Sequence, residues 1–146
     1  MQIYTIGFTQ KTAQNFFSLI KSAEVKTVFD VRLNNVSQLA GFAKKNDLSY
    51  FLAELCNTEY LHLPELAPTA QLLNAYKRKE ISWEIYAERF NNLMSQRHVE
   101  KLIQPALLKH GCFLCSEHEP HFCHRRLVAE YLNERKGLSL DIIHLK

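Results

Sequence analysis

Short apolar runs alternate along this chain with stretches in which apolar residues recur at helical spacing, and this alternation constrains the fold most strongly. The strand-like runs are 3–6, 26–31, 59–63, 112–115 and 140–145. Strands that are joined through helices pair mostly in parallel, with right-handed connections. The pattern therefore predicts an α/β fold: a three-layer sandwich with a mostly parallel sheet of about five strands. The order of the strands stays open.

The helical stretches have recognisable ends. The first helix is expected to open at Thr9 or Gln10, and a second to cover 47–56. The last is expected to run from about 121 to 136, and Gly137 supplies the left-handed residue that ends it.

Between the third and fourth strands, helical spacing extends over 68–108, with Ser82 as a plausible N-cap. We expect two or three helices there. They form an insertion within a single α/β domain, residues 1–146, rather than a second domain.

Composition narrows the class of protein. Hydrophobic residues make up 47% and charged residues 23%, which is typical of a globular domain. Four cysteines and no signal-peptide pattern at 1–6 favour a reducing compartment, so we expect a cytoplasmic protein without disulfides. No apolar run approaches the roughly 20 residues that cross a bilayer. The formal net charge of +3 suits anionic ligands but neither supports nor excludes nucleic acid.

The segment 115–125 concentrates reactive side chains: two thiols, three imidazoles, two carboxylates and one guanidinium. It lies where the fourth strand leads into the last helix, and open parallel sheets bind ligands beyond the carboxyl ends of their strands. Asp30 and Arg32 end the second strand, while His62 and Glu65 end the third. In a parallel sheet all of these residues meet at one rim.

Several motifs together resemble the domain of unknown function family 488. The motifs, in order, are Tyr4-Thr-Ile-Gly7, Asp30-Val-Arg32, Gly41-Phe42, Tyr60-Leu-His-Leu-Pro-Glu-Leu66 and Cys115-Ser-Glu117 with Cys123-His-Arg125. The resemblance spans nearly the whole chain. It implies no established activity, although some members of the family carry loose DNA-repair labels. Two positions depart from the pattern: Phe8, where the family often has His, and Ser37-Gln38, where it often has Ser-Arg.

Three interpretations of the cysteine and histidine cluster are open. In the first, Cys123, His124 and Arg125 begin the last helix, where free N–H groups and the helix dipole favour negative charge. A thiol there would have a lowered pKa, and Arg125 could hold a phosphate or a carboxylate. The cluster would then perform thiol chemistry or bind an anion.

The second interpretation is a zinc or iron site that combines Cys112, Cys115 and Cys123 with one histidine. The candidate histidines are His118, His121 and His124. Against it, Cys112 and Cys115 would point to opposite faces of an extended strand. In the third interpretation these two cysteines are buried strand residues, and His124 and Arg125 pair with carboxylates.

The sequence therefore favours a small enzyme that binds an anionic substrate, nucleotides and nucleic acids included, at the strand ends. The expected catalytic residues are Cys115, Glu117, Cys123 and His124. The expected substrate-binding residues are Asp30, Arg32, His62, Glu65 and Arg125. We expect Arg32, Cys115, Cys123 and Arg125 to line one cavity, and we assign no cofactor and no metal ligand.

Two other classes of function remain open. One is a non-catalytic nucleic-acid-binding or adaptor module, which would suit a link to DNA repair. The other is a structural protein stabilised by zinc or iron. The sequence identifies neither the substrate nor the reaction, and it leaves the oligomeric state open.

Overall fold

The structure is a computed structural model that describes residues 2–34, 41–117 and 119–146. Its strands are β1 (Gln2–Gly7), β2 (Thr27–Asp30), β3 (Glu59–His62), β4 (Gly111–Cys115) and β5 (Asp141–Leu145). They form one parallel sheet in the order β3-β2-β4-β1-β5. The predicted parallel sheet of about five strands is confirmed. The order places β4 between β1 and β2, so its carboxyl end lies at the middle of the rim.

Helices cover both faces of the sheet. They are α1 (Ala13–Ser22), α2 (Lys45–Cys56), α3 (Ala70–Lys77), α4 (Trp83–Gln96), α5 (Pro105–Leu108) and α6 (His124–Lys136). The first two helices pack on one face, and α4 and α6 pack on the other. The segment from α3 to α5 is the expected helical insertion between β3 and β4. The three-layer α/β sandwich is therefore confirmed.

Strand β4 is buried on both faces, because it lies between two hydrophobic cores. Cys112 and Leu114 face the core beneath α1 and α2, whereas Phe113 and Cys115 face the core beneath α4 and α6. This alternation follows from the two-residue period of a strand. It separates the two cysteines of the Cys-x-x-Cys pattern by the thickness of the sheet.

The first helix begins later than the sequence suggested. Thr12 is its N-cap, since the Thr12 hydroxyl accepts a hydrogen bond of 3.1 Å from the Asn15 N–H. Thr9 instead donates its hydroxyl to the Ser116 carbonyl at 2.7 Å, and Gln10 has a φ of 58°, outside the helical region. The expected start at Thr9 or Gln10 is therefore wrong, because the loop after β4 holds Thr9 in place.

The other helix ends agree more closely with the sequence. Ser82 accepts a hydrogen bond from the Ile85 N–H and is the N-cap of α4. Gly137 ends α6 with a φ of 61°. The last helix starts at His124 rather than near residue 121, and Cys123 is its extended N-cap residue. Over the described ranges, no helix combines the length and the apolar character that crossing a bilayer requires.

Candidate functional site

A cavity of about 320 Å³ opens at the carboxyl end of β4. The end of β4, the loop after β2, helix α3 and the start of α6 form its walls. Its lining residues are Arg32, Leu33, Asn34, Leu73, Asn74, Tyr76, Lys77, Tyr86, Cys115, Ser116, Glu117, Phe122, Cys123 and His124. The four residues expected to be catalytic, together with Arg32, thus share one cavity.

Cys115 and Cys123 form the buried centre of this cavity. Their side chains are 6% and 3% exposed. The two sulfurs and one ring nitrogen of His124 all lie within 4.8 Å of one another. Cys115 reaches this position as the last residue of β4, and Cys123 reaches it as the N-cap of α6.

The two thiols differ in acidity because they are hydrogen-bonded to each other. The hydrogen bond from Cys123 lowers the pKa of Cys115 below its ordinary value. The backbone N–H groups of Ser116 and Glu117 and the charge of Arg125 lower it further, against the opposing effect of burial. Burial, together with the neighbouring Cys115, raises the pKa of Cys123 well above its ordinary value. Cys115 is therefore the partner that ionises first.

The ring of His124 is fixed by its surroundings. Its Nε2 lies 2.7 Å from the carbonyl oxygen of Val31, which only accepts, so Nε2 carries a hydrogen and donates it. In the neutral ring, Nδ1 then keeps its lone pair. The ring of Phe90 also packs edge to face against the His124 ring, with 5.6 Å between the ring centres.

The sulfur of Cys115 lies beside this ring rather than at its end. It is 3.5 Å from Nδ1 and 3.8 Å from Nε2. Two nearly equal distances place Sγ over the ring, since a sulfur in line with the Nδ1 lone pair would be much farther from Nε2. His124 is therefore not aligned as a general base for Cys115.

Arg32 reaches the cavity already paired with Asp30. The guanidinium donates through Nε to Oδ1 at 2.9 Å and through Nη2 to Oδ2 at 2.8 Å. The hydroxyl of Tyr60 donates to the same carboxylate at 2.5 Å. Asp30 does not belong to the described lining of the cavity, so it orients Arg32 from behind.

Arg125 is fully buried behind the cavity. Its Nε donates to the Thr5 hydroxyl at 3.3 Å, and its Nη1 donates to the carbonyl of Glu117. Glycine is required at position 7 beside it, because an added Cβ would overlap the Glu117 carbonyl and lie 2.6 Å from Nη1. Arg125 is outside the described lining of the cavity, so its positive charge reaches Cys115 through the protein interior.

His62 and Glu65 lie farther away, on the edge strand β3 and just after it. His62 pairs with Asp30 in the sheet register and is half-buried. Within the described residues its Nε2 has no hydrogen-bond partner. The Glu65 side chain is exposed, while its backbone carbonyl accepts from Arg97 Nη1 at 2.8 Å. Neither residue lines the described cavity, and their expected role in binding stays a prediction.

A metal ion could draw on Cys115, Cys123 and His124 at this site. Cys112 cannot join them, since it faces the opposite core. His124 would have to turn its ring to point a nitrogen lone pair at an ion held by Cys115, because Nε2 is bound to Val31 and Sγ of Cys115 lies over the ring rather than in line with Nδ1. His121 is exposed, and His118 lies outside the described residues.

Comparison with protein families decides the relationship that the motifs indicated. The family model described as "Domain of unknown function DUF488" matches residues 12–132. The chain belongs to this family. Neither curated proteins nor solved structures gave a match. The DUF488 match runs from the start of α1 into α6 and includes every described lining residue of the cavity.

The two departures from the DUF488 pattern have different outcomes. Phe8 is buried, and the Arg32 guanidinium lies 5.4 Å from its ring centre, so an aromatic face supports the cation. Ser37-Gln38 lies outside the described residues.

Helix α3 contributes lining residues that the sequence analysis missed. Leu73, Tyr76 and Lys77 share one side of this helix, as the i, i+3, i+4 spacing requires. That spacing was visible in the sequence, but nothing in it indicated that the insertion folds back over the rim. Lys77 adds a second cationic side chain to the described lining of this DUF488 site, beside Arg32.

Proposed function

We propose that this protein is an enzyme that binds a small anionic substrate in the cavity and attacks it with the Cys115 thiolate. The observation that carries the proposal is the buried, hydrogen-bonded pair of Cys115 and Cys123. In this pair the pKa of Cys115 is lowered and that of Cys123 is raised. Perturbed pKa values of opposite sign within one cavity are typical of a reactive site.

The proposed nucleophile needs a stable thiolate, because the thiolate and not the thiol is the attacking species. Three sources of positive potential favour it: the Cys123 thiol, the N–H groups of Ser116 and Glu117, and the charge of Arg125. The same N–H groups and the start of α6 would stabilise negative charge that develops on a bound substrate. Attack by Sγ on an electrophilic atom of the substrate forms a covalent adduct at Cys115 and expels a leaving group with its bonding electron pair.

The residues that line the cavity and its volume indicate the charge and the size of the substrate. Arg32 and Lys77 supply positive charge, and Tyr76 and Phe122 supply aromatic surface. A volume of about 320 Å³ is near the lower end of the range for ligand pockets, roughly 300–1,000 Å³, so a small substrate fits best. Glu117 is exposed at the mouth of the cavity, where it can exchange protons with water.

Two alkylating reagents of different charge test this proposal. Iodoacetate and iodoacetamide differ in charge at nearly equal size, and peptide mapping assigns each product to one cysteine. We expect the ratio of iodoacetate to iodoacetamide rates to be higher at Cys115 than at Cys56, which lies on the opposite face of the sheet. Equal ratios at the two cysteines, or no alkylation of Cys115 by either reagent, would overturn the proposal.

A matched pair of lysine variants locates the charge effect. Lys77→Gln removes a cation from the cavity wall and should lower the rate ratio at Cys115. Lys79→Gln makes the same charge change two residues away, at an exposed position that is not part of the described lining. The ratio should stay at the wild-type value in Lys79→Gln.

A further inference from the structure

We propose that Cys115 and Cys123 act together as a redox pair that reduces small acidic disulfides. This inference rests on the proposed function, since it takes Cys115 as the nucleophile and the cavity as the binding site. It adds the class of reaction and gives Cys123 a covalent role.

The geometry of the thiols supports a pair rather than a single reactive cysteine. Both sulfurs are buried at the base of one cavity and within 4.8 Å of each other. Forming a disulfide requires the two sulfurs to approach to about 2.05 Å, so both side chains must rotate toward each other. The other two cysteines, Cys56 and Cys112, face the opposite core, so they cannot substitute for either partner.

The difference between the two thiols assigns their order of reaction. A thiolate attacks a disulfide, and the attacking sulfur is the one that ionises more readily. Cys115 meets this condition, whereas Cys123 keeps its proton until its neighbour has reacted. Once Cys115 is in a mixed disulfide, its hydrogen bond and its negative charge no longer raise the pKa of Cys123, so Cys123 loses its proton more readily than before.

The first step forms one bond and breaks one. Sγ of Cys115 bonds to one sulfur of the substrate disulfide, and the other sulfur leaves as a thiolate that takes a proton from water. The product is a mixed disulfide between Cys115 and half of the substrate.

The second step releases the other half. Cys123 gives up its proton to His124, whose Nδ1 holds the ring's lone pair and one of whose ring nitrogens lies within 4.8 Å of the Cys123 sulfur, and that sulfur bonds to Sγ of Cys115. The mixed disulfide breaks, and the second substrate thiolate departs. In sum, one substrate disulfide gains two electrons from the two cysteine sulfurs and two protons, one from water and one from Cys123 by way of His124, and becomes two thiols, while the Cys115 thiolate and the Cys123 thiol become a disulfide. An external dithiol reverses this oxidation.

2,2′-Dithiodiacetate is the acidic probe for this reaction, and bis(2-hydroxyethyl) disulfide, of similar size, is the neutral one. After reaction of the reduced full chain with 2,2′-dithiodiacetate, mass spectrometry of the unreduced digest should find Cys115 linked to Cys123. The oxidised protein should weigh two hydrogen atoms less than the reduced form, and dithiothreitol should restore it. The neutral probe should react more slowly at the same concentration.

Three variants separate the steps. Cys123→Ser should stop at a stable mixed disulfide that carries one thioglycolate group on Cys115. Cys115→Ser should abolish the linkage, and Cys112→Ser, on the same strand but facing the other core, should behave as wild type. A wild-type chain that accumulates the thioglycolate adduct without the linkage, or that does not react with 2,2′-dithiodiacetate, overturns the redox pair.

The failure of the redox pair is distinguishable from failure of the proposed function. If Cys115 is rapidly alkylated by iodoacetate yet no linkage to Cys123 forms, the assignment of Cys115 as the nucleophile is supported and the redox pair is rejected. If Cys115 is not alkylated at all, both the proposed nucleophile and the redox pair are rejected. The wild-type measurement decides the inference even where a cysteine variant does not fold.

Discussion

Asp30 and Arg32, two residues apart, form a two-point salt bridge in which the carboxylate is fully buried and the guanidinium is 3% exposed. Asp30 also accepts the backbone N–H of Arg32 at 3.1 Å and the hydroxyl of Tyr60. The carboxylate thus fixes the direction of the guanidinium and offsets part of its charge. The Arg32 cation at the cavity wall depends on Asp30 for both its position and its stability.

Removing the Asp30 charge should destabilise the fold strongly. Asp30→Asn leaves the buried guanidinium of Arg32 without its counter-ion, and loss of one partner of a buried pair costs about 3–5 kcal/mol. The free energy of unfolding, measured by urea titration at pH 7, should fall by that amount. Asp141→Asn makes the same change at an exposed position on the edge strand β5 and should shift it by less than about 0.5 kcal/mol. Equal losses in the two variants would contradict this account of the pair.

A methyl group at position 7 should disturb the site as well as the fold. Gly7→Ala places Cβ against the Glu117 carbonyl and Arg125 Nη1, and such overpacking costs about 1–3 kcal/mol. The loop at Ser116 and Glu117 must then shift, so alkylation of Cys115 should slow. Gly41→Ala is the matched control, because its Cβ would meet no described atom within 4 Å. The prediction fails if both alanine variants keep wild-type stability and wild-type alkylation rates.

Much of the fold was predictable from local pattern. The two-residue period placed Cys112 and Cys115 on opposite faces of β4, and the structure has them in different cores. Gly137 and Ser82 ended and started helices for reasons that operate over a single turn. Strand order was not predictable, because the position of β4 between β1 and β2 depends on contacts between residues far apart in the chain.

The location of the site was predictable from the sequence, but the full set of residues that line it was not. Parallel strands with polar ends indicated one rim, and Arg32, Cys115 and Cys123 do line one cavity. Arg125 does not, since hydrogen bonds to Thr5 and Glu117 turn its side chain into the interior. Tyr76 and Lys77 line the cavity, because the helical insertion folds back over the rim of the sheet. Both outcomes depend on tertiary contacts that residue spacing cannot express.

Alkaline conditions should reveal the buried thiol of Cys112. Burial raises its pKa, so the folded protein keeps a proton that the unfolded chain releases above pH of about 8.5. The free energy of unfolding therefore falls as the pH rises, and the Cys112 thiol contributes about 1.4 kcal/mol per pH unit to that fall. The contribution of this thiol to stability is fully present below a pH of about 8.5 and declines above it.

Two truncations isolate this effect on β4. In urea titrations between pH 8.5 and 10.5, Cys112→Ala should show a fall in unfolding free energy that is shallower by about 1.4 kcal/mol per pH unit. Leu114→Ala also shortens a buried side chain facing the same core, but it removes no titrating group, so its slope should match wild type. Parallel slopes in all three proteins would show that the Cys112 thiol does not resist ionisation.

The pH dependence of Cys115 alkylation tests the central claim most directly. Iodoacetamide rates at Cys115, assigned by peptide mapping, should rise with a midpoint below the ordinary thiol pKa of about 8.5. Cys123→Ala removes the largest cause of the lowered pKa and should move that midpoint upward. A midpoint at or above 8.5 in the wild-type protein, or one that Cys123→Ala leaves unchanged, would contradict the assignment of Cys115 as the stabilised thiolate of the site.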